Sequence, residues 1–409
     1  MHQSNLIALY CGTQTLAQLG GFTFAALLPV FFVEWSLSHS EAGWLSGIFF
    51  GAYALSVPVL VTLTDRIEAR KIYLFAVALT AVSHLAMAVL ADSFWMGLIC
   101  RIAAGVGWAG TYMVGLRALT DAVDVGIQSR AVAANAASIG ISGALSFLLA
   151  GILSEHWGWQ GAFWLAAASS LAAFIMAWCV FLRGRQPPRG VGGLFDFRPV
   201  LRNKNAMAYS LGYFAHTWEM FVLRSWAVTF LVFAMHEDGQ PLDWFRPTVI
   251  AMLMELVGTA TSVFGNEAAL RLGRQRWILT VMCVSMLCAL LIGFASGLGY
   301  WPAAIACLVY NAFIYADSAS LTAGAAGSAA PERKGATLAI HALLGYSGGF
   351  AGPLSMGMLL DMLGGESVVN WGLSFGHVAV VMLIGPAALI FLRPRDLEGD
   401  ARSQRERTR

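Results

Sequence analysis

An all-α membrane protein of twelve transmembrane helices, arranged as two pseudo-symmetric six-helix bundles, is predicted by three observations on the sequence. Long apolar segments alternate with short polar gaps, positive charge is concentrated in every second gap, and short motifs recur at a constant offset. The composition agrees: 58% of the 409 residues are hydrophobic and 12% charged, against about 25% charged in ordinary soluble domains.

The apolar segments run over 5–33, 42–62, 72–92, 94–116, 131–153, 162–182, 206–234, 247–269, 277–298, 300–323, 336–360 and 372–392. Each can cross about 30 Å of hydrocarbon as a helix, which takes roughly 20 residues. Lys and Arg cluster after segments 2, 4, 6, 8, 10 and 12, from Arg66, Arg70 and Lys71 to Arg393 and the tail, while the intervening gaps hold Arg246. Positive charge near span ends is retained in the cytoplasm, so both termini are expected there, with the chain in the bacterial inner membrane. Residues 1–20 lack a basic leader region and a small-residue cleavage site, so the first segment is expected to stay as a span.

Net charge is +2, and it is sorted by side rather than accumulated, which argues against a nucleic-acid partner. The cysteines at 11, 100, 179, 283, 288 and 307 all fall in segments without metal-ligand spacing and read as small packing residues.

Comparing the halves gives an offset of 205 residues: Gly140-Ile141-Ser142-Gly143 returns as Gly345-Tyr346-Ser347-Gly348, and Arg66 and Lys71 return as Arg271 and Arg276. Internal duplication predicts an N-terminal bundle over 1–183, a cytoplasmic linker over 184–205, a C-terminal bundle over 206–393 and a tail over 394–409. Duplicated bundles with a site near the midplane are the usual construction of secondary transporters.

Between segments 2 and 3, VTLTDRIEARK (61–71) resembles the signature loop of the major facilitator superfamily, Gly-x-x-x-Asp-Arg-x-Gly-Arg-Arg/Lys. Asp65, Arg66, Arg70 and Lys71 match, while Val61 and Glu68 stand where the family usually has Gly. A weaker copy, NEAALRLGRQR (266–276), has Leu270 at the Asp place. RIAAGVGWAG (101–110) is similar to the family's Arg-x-x-x-Gly-x-Gly run, and GGFAGPLSMG (348–357) to its antiporter motif, here in segment 11 rather than segment 5. The resemblance covers essentially the whole chain. It implies a gating latch at Asp65, Arg66, Arg70 and Lys71, closing helix ends on the cytoplasmic side. Taken alone those residues would read as solvated surface charge; the place of Asp65 within the motif favours the latch. The Gly-Ser-Gly repeats let helices approach closely, and Pro353 supplies a kink point.

Ionisable groups at mid-span cost about 2.5–3.5 kcal/mol each if they face lipid. Five are present: Arg101, Glu219, Arg224, Glu255 and Asp317. Four lie on segments 4, 7 and 10, and the resemblance implies that segments 1, 4, 7 and 10 line a central cavity. In segment 4, Arg101, Gly105, Trp108 and Tyr112 share one stripe. In segment 7, Tyr209, Tyr213, His216, Glu219 and Arg224 fall within an arc of roughly 140°, with Glu219 and Arg224 at its edges. Each of those two must find a partner on another helix or on substrate. Segment 10 offers Tyr310, Asn311, Tyr315 and Asp317, and segment 1 offers Gln14 and Gln18.

Packing is the competing reading for Trp108, Tyr112, Tyr310 and Tyr315, and a structural hub for Arg101. His84, His341 and His377 read as satisfied interior histidines, and Glu255 as packing toward the other half. The candidate substrate-binding set is therefore Gln14, Gln18, Arg101, Trp108, Tyr112, Tyr213, His216, Glu219, Arg224, Tyr310, Asn311, Tyr315 and Asp317, with Glu219, Asp317 and Arg101 as the proton-coupling set. Two cations, two anions, a His and several aromatics suit a small organic anion, a zwitterion or an amphipathic metabolite or drug. The expected function is proton-coupled transport by alternating access, as efflux antiport, with proton-driven uptake of an organic anion as the alternative. An enzyme is not expected, since neither a His-Glu-x-x-His helix nor clustered Asp or Cys ligands occur. No cofactor or metal is expected; the partners are a small-molecule substrate, protons and the lipid bilayer, for a monomeric protein.

Overall fold

The computed structural model describes residues 3–64, 66–181, 197–240, 245–330, 333–395 and 397. Asp65, most of the linker and most of the tail lie outside the described residues.

All regular structure among the described residues is helical, as expected where backbone polar groups must be satisfied within each segment. The first apolar segment is broken into α1 (Gln3–Gln18), α2 (Thr23–Ala26) and α3 (Leu28–Glu34). Next come α4 (His39–Leu63), α5 (Ala69–Leu90) and α6 (Phe94–Ala122). Segments 5 and 6 form α7 (Gln128–Val180), which is interrupted at Trp157 and Gly158. Gly158 has φ +66, a conformation that favours glycine, so the reversal sits where a side chain would be strained.

A short α8 (Arg198–Leu201) precedes α9 (Lys204–Glu237) and α10 (Phe245–Leu272). The side-chain oxygen of Asn203 caps α9, accepting from the Asn205 and Ala206 N–H groups at 3.1 and 3.2 Å. Then follow α11 (Arg274–Ile292), α12 (Tyr300–Tyr315), α13 (Ser318–Gly327), α14 (Lys334–Met362), α15 (Val368–Met382) and α16 (Ile384–Leu392). Segment 10 is thus split between α12 and α13, and segment 12 between α15 and α16. Among the described residues, nine helical stretches are long and apolar enough to cross a membrane by length and composition.

The chain forms two compact units. The first comprises Met1–Leu37, Ile48–Leu194 and Trp244–Glu255, and the second Ser38–Gly47, Phe195–Asp243 and Leu256–Arg409. Each unit therefore takes in the start of a helix whose remainder belongs to the other. In the first unit, Tyr10 stacks on Phe181 with ring centroids 4.1 Å apart, and Tyr73 closes on the same ring at 4.6 Å. Because lipid gives no hydrophobic force between helices, close contact depends on small residues. Gly105 shows this: a methyl group there would overlap the Phe49 carbonyl oxygen, so α6 meets α4 backbone to backbone.

In the second unit α9 is the hub. Its apolar window is 83% buried, against 39% for α10 and for α11, so a polar side chain almost anywhere on α9 faces protein.

Candidate functional site: buried ionisable groups in each unit

The second unit carries two acid centres. Asp317 lies in the break between α12 and α13, 2% exposed. The break is held from outside segment 10: the Trp277 indole N–H donates to the Ala316 carbonyl at 2.9 Å, and Gly265 of α10 sits against that carbonyl. Helices interrupted at membrane depth are where transporters build sites, because the freed backbone must be sheltered by protein or a cavity. Facing the break, His216 of α9 brings Nδ1 to 2.8 Å from Asp317 Oδ1, both side chains being almost fully buried.

His216 belongs to a stack. The Tyr213 ring lies 5.5 Å from the His216 ring at 16°, and 4.2 Å from the His341 ring at 14°. His341 is anchored in turn, with Nδ1 3.2 Å from Ser210 Oγ and Nε2 3.4 Å from Thr322 Oγ1. Two imidazoles and a phenol thus connect α9, α14 and the helix after the break.

Glu219, 1% exposed, is the second centre. Its carboxylate accepts a hydrogen bond from the Ser285 hydroxyl of α11, and Tyr310 of α12 approaches the same group. Arg224, five residues further along α9 and partly exposed, donates to the Tyr315 hydroxyl. Its guanidinium lies 5.7 Å from the Phe221 ring and 5.6 Å from the Tyr315 ring. Glu219 and Arg224 have each found partners on other helices. Asn311 is buried on α12.

The first unit carries a different centre. Arg101, 5% exposed, places its guanidinium 5.0 Å from the Phe24 ring and 4.5 Å from the Phe49 ring. Cation–π contacts of this kind are worth about 2 kcal/mol when desolvated. Trp108 is packed among Phe22, Phe49, Phe50 and Tyr53 at 5.2–6.3 Å. Gln14 and Gln18 are buried on α1, Gln18 at the edge of the first break. Neither oxygen nor nitrogen of the Gln18 amide has a hydrogen-bond partner among the described residues, and the same holds for the Gln14 nitrogen. Tyr112 is half-buried.

Several residues have settled structural partners. Trp218 donates its indole N–H to His377 Nε2 at 3.2 Å. Glu255 packs on α7, where a methyl at Gly143 would lie 2.9 Å from its Oε2. Arg70 donates to the Trp178 carbonyl at 2.6 Å and lies 5.1 Å over the Trp178 ring, tying α5 to the end of α7. Arg66 and Lys71 are exposed, and Asp65 is outside the described residues.

Sequence reasoning missed four contributors. Ser285 lies on segment 9, outside the helices implied to line the cavity; a serine within the otherwise apolar run 281–292 was the available signal. Phe24 and Phe49 carried none, since phenylalanine is common in any span. Arg274 counted only as a cytoplasmic cation, yet it is buried and donates to the Ser320 carbonyl at 3.2 Å, tying α11 to α13. Among the described residues, no group of three His, Cys, Asp or Glu side chains is placed to hold a metal ion.

Membrane-length helices with ionisable groups held inside them define a polytopic α-helical membrane protein. The sequence profile described as Major Facilitator Superfamily matches residues 10–353. The chain belongs to that family, and so is a membrane transporter rather than an enzyme. Human protein spinster homolog 1 is 23% identical over 242 residues, covering 56% of this chain and 45% of that protein; the chain spans about half the length of the spinster relatives it matches. The putative transporter AraJ of Escherichia coli (strain K12) is 25% identical over 360 residues, covering 87% of this chain and 84% of that one. A bacterial homologue of the human lysosomal transporter Spinster, in an inward-facing and occupied conformation, superposes with TM-score 0.72 at 15% identity, covering 96% of both chains. A POT family peptide transporter superposes with TM-score 0.76 at 15% identity, covering 96% of this chain and 98% of that one. At these identities the likeness is one of fold.

Proposed function

We propose that this transporter moves a small organic solute by alternating access, coupled to protons, in the bacterial inner membrane with both termini cytoplasmic. The observation that carries the coupling is the placement of Asp317 in a mid-membrane helix break, 2.8 Å from His216. A carboxylate there can exchange a proton with the imidazole, and helix breaks are where such groups gain access to a pathway. Glu219, held by Ser285, is a second proton-carrying candidate beside it. Arg101 and Arg224 hold an anionic group of the substrate or tune the acids, and the aromatics grip its apolar body. Asp65, Arg66, Arg70 and Lys71 act as the cytoplasmic latch.

The substrate class is an organic anion, a zwitterion or an amphipathic metabolite or drug. Relatives named as a probable sphingolipid transporter in Arabidopsis thaliana and as multidrug resistance protein fnx1 in Schizosaccharomyces pombe support an amphipathic solute. Efflux by antiport follows the Gly-x-x-x-Gly-Pro run at 348–353, with uptake of an organic anion by symport as the second reading.

Proteoliposomes with an imposed pH gradient, screened against organic acids and cationic dyes, test the proposal. Glu219→Gln or Asp317→Asn is expected to abolish proton-driven accumulation while leaving counterflow exchange. Accumulation that persists in both variants overturns the coupling assignment.

A further inference from the structure

The beginning of α4, Ser38–Gly47, belongs to the second unit, seated along α14. The approach is close: a methyl at Gly43 would lie 2.8 Å from the Pro353 carbonyl oxygen, and one at Gly47 would overlap the Phe350 carbonyl. Trp44 covers the seam, its ring 5.4 Å from that of Phe350.

Asp361, at the end of α14, seals the top of this seam. Its carboxylate accepts from the backbone N–H of His39 at 3.1 Å and of Ser40 at 2.7 Å, so an acid from one helix caps the N-terminus of another. The His39 Nδ1 lies 2.9 Å from the same carboxylate. On the far side of the ring, Nε2 lies 3.9 Å from Glu366 in the turn after α14. Trp226 of α9 lies against the imidazole, ring centroids 6.4 Å apart at 20°, with its indole N–H donating to Pro353 at 3.0 Å. The remaining acid nearby, Glu41 on α4 itself, accepts from the Ser38 N–H at 2.8 Å and the Ser38 hydroxyl at 3.1 Å.

We propose that His39, held between Asp361 and Glu366, is an external proton sensor that tightens the clasp between α4 and α14 as the medium outside becomes acidic. On the orientation proposed above, the start of α4 and the end of α14 both face outward. Alternating access requires this seam to part whenever the site opens to that side.

The chemistry gives the sign. A cationic imidazole sets its charge against the Asp361 carboxylate, 2.9 Å from Nδ1, and keeps an N–H on Nε2 toward Glu366, 3.9 Å away, whereas the neutral ring has no charge and a single N–H. Burial pushes Asp361 upward, but hydrogen bonds from Ser40 and His39 outweigh it and hold the carboxyl below its ordinary range, so its grip on the helix end persists through neutral pH. Glu366 keeps 31% of its side-chain surface, yet desolvation pushes it up to about 7. Above that pH it bears a poorly solvated charge at the seam, and below it that penalty is gone. Both changes favour a shut clasp on the acid side. This inference is independent of proton-coupled transport and would stand if the coupling reading failed.

Hydrogen–deuterium exchange of the full-length protein in lipid nanodiscs reads the clasp directly, since Asp361 binds two of the amides concerned. After correction for intrinsic exchange, protection of peptides covering 38–47 is expected to rise severalfold between pH 8 and pH 6. His39→Gln should flatten that response, and Asp361→Asn should lower protection at every pH, with 204–237 remaining protected as evidence of folding. Wild-type protection that does not change with pH overturns the proposal without recourse to a variant. So does a His39→Gln protein with the wild-type response, or an Asp361→Asn protein with undiminished protection.

Discussion

His216 Nδ1 lies 2.8 Å from Asp317 Oδ1, which joins the middle of the continuous helix α9 to the break in segment 10. The pair ties the most buried helix of the second unit to the place where helical hydrogen bonding is interrupted. Position and chemistry therefore depend on each other: without the break Asp317 would sit in the interior of one continuous helix, and without His216 the break would hold a lone buried carboxyl.

Removing one partner leaves the other buried without it, so Asp317→Asn and His216→Phe should each lower stability by about 1–3 kcal/mol. The double variant should cost less than the sum of the two by at least about 1 kcal/mol, as expected of residues in contact. Thermal unfolding of the detergent-solubilised protein measures this, and strict additivity would contradict a direct pair.

Ser285→Ala leaves the buried Glu219 without its hydroxyl donor, at a cost of about 1–3 kcal/mol. Ser285→Thr retains the hydroxyl and should recover most of that loss. Equal losses in the two variants would show that bulk on α11, rather than the hydrogen bond, matters at this position.

Gly105→Ala drives a methyl into the Phe49 carbonyl, and backbone cannot yield as a flexible side chain can. The expected loss is about 1–3 kcal/mol, the usual range for overpacking. Gly126, with nothing within 4 Å of a built methyl, is the control. Its alanine variant should be near neutral in the same melting assay.

Glu366, pushed up to about 7 by desolvation, binds protons more tightly folded than unfolded. The sign follows from linkage: between its ordinary range and about 7 the native state holds more protons, so stability declines as pH rises through that window. Glu366→Gln should flatten this part of the melting-temperature profile. A variant that declines as steeply as the parent would place the titration on another group.

Much of the fold was legible because spanning a membrane constrains every residue of a segment at once. The helices at 69–90 and 204–237 follow their apolar runs closely, and the boundary between segments 5 and 6 falls at Trp157 and Gly158 as the intervening gap indicated. The interruption at Ala316 and Asp317 was not legible. Neither residue is Pro or Gly, and the break is stabilised by Trp277 and Gly265, which approach from other helices. The mid-span charges were found because they are rare, but their partners were not: the meeting of Glu219 with Ser285, or of Arg101 with Phe24 and Phe49, depends on how neighbouring helices are rotated and how deeply they sit.

By itself the sequence determined which stretches are apolar enough to span, the charge sorting behind the expected sidedness, the motifs repeated at an offset of 205 residues and the small set of interior charges, because hydrophobicity and charge sorting act on each segment independently of its neighbours. Only the tertiary structure decided that His216 faces Asp317, that Asp361 of one helix caps the start of another at His39, and that Arg70 lies on Trp178. Those pairings join residues far apart in the chain, and their geometry comes from helix rotation, close glycine contacts and interrupted helices, none of which has a local signature.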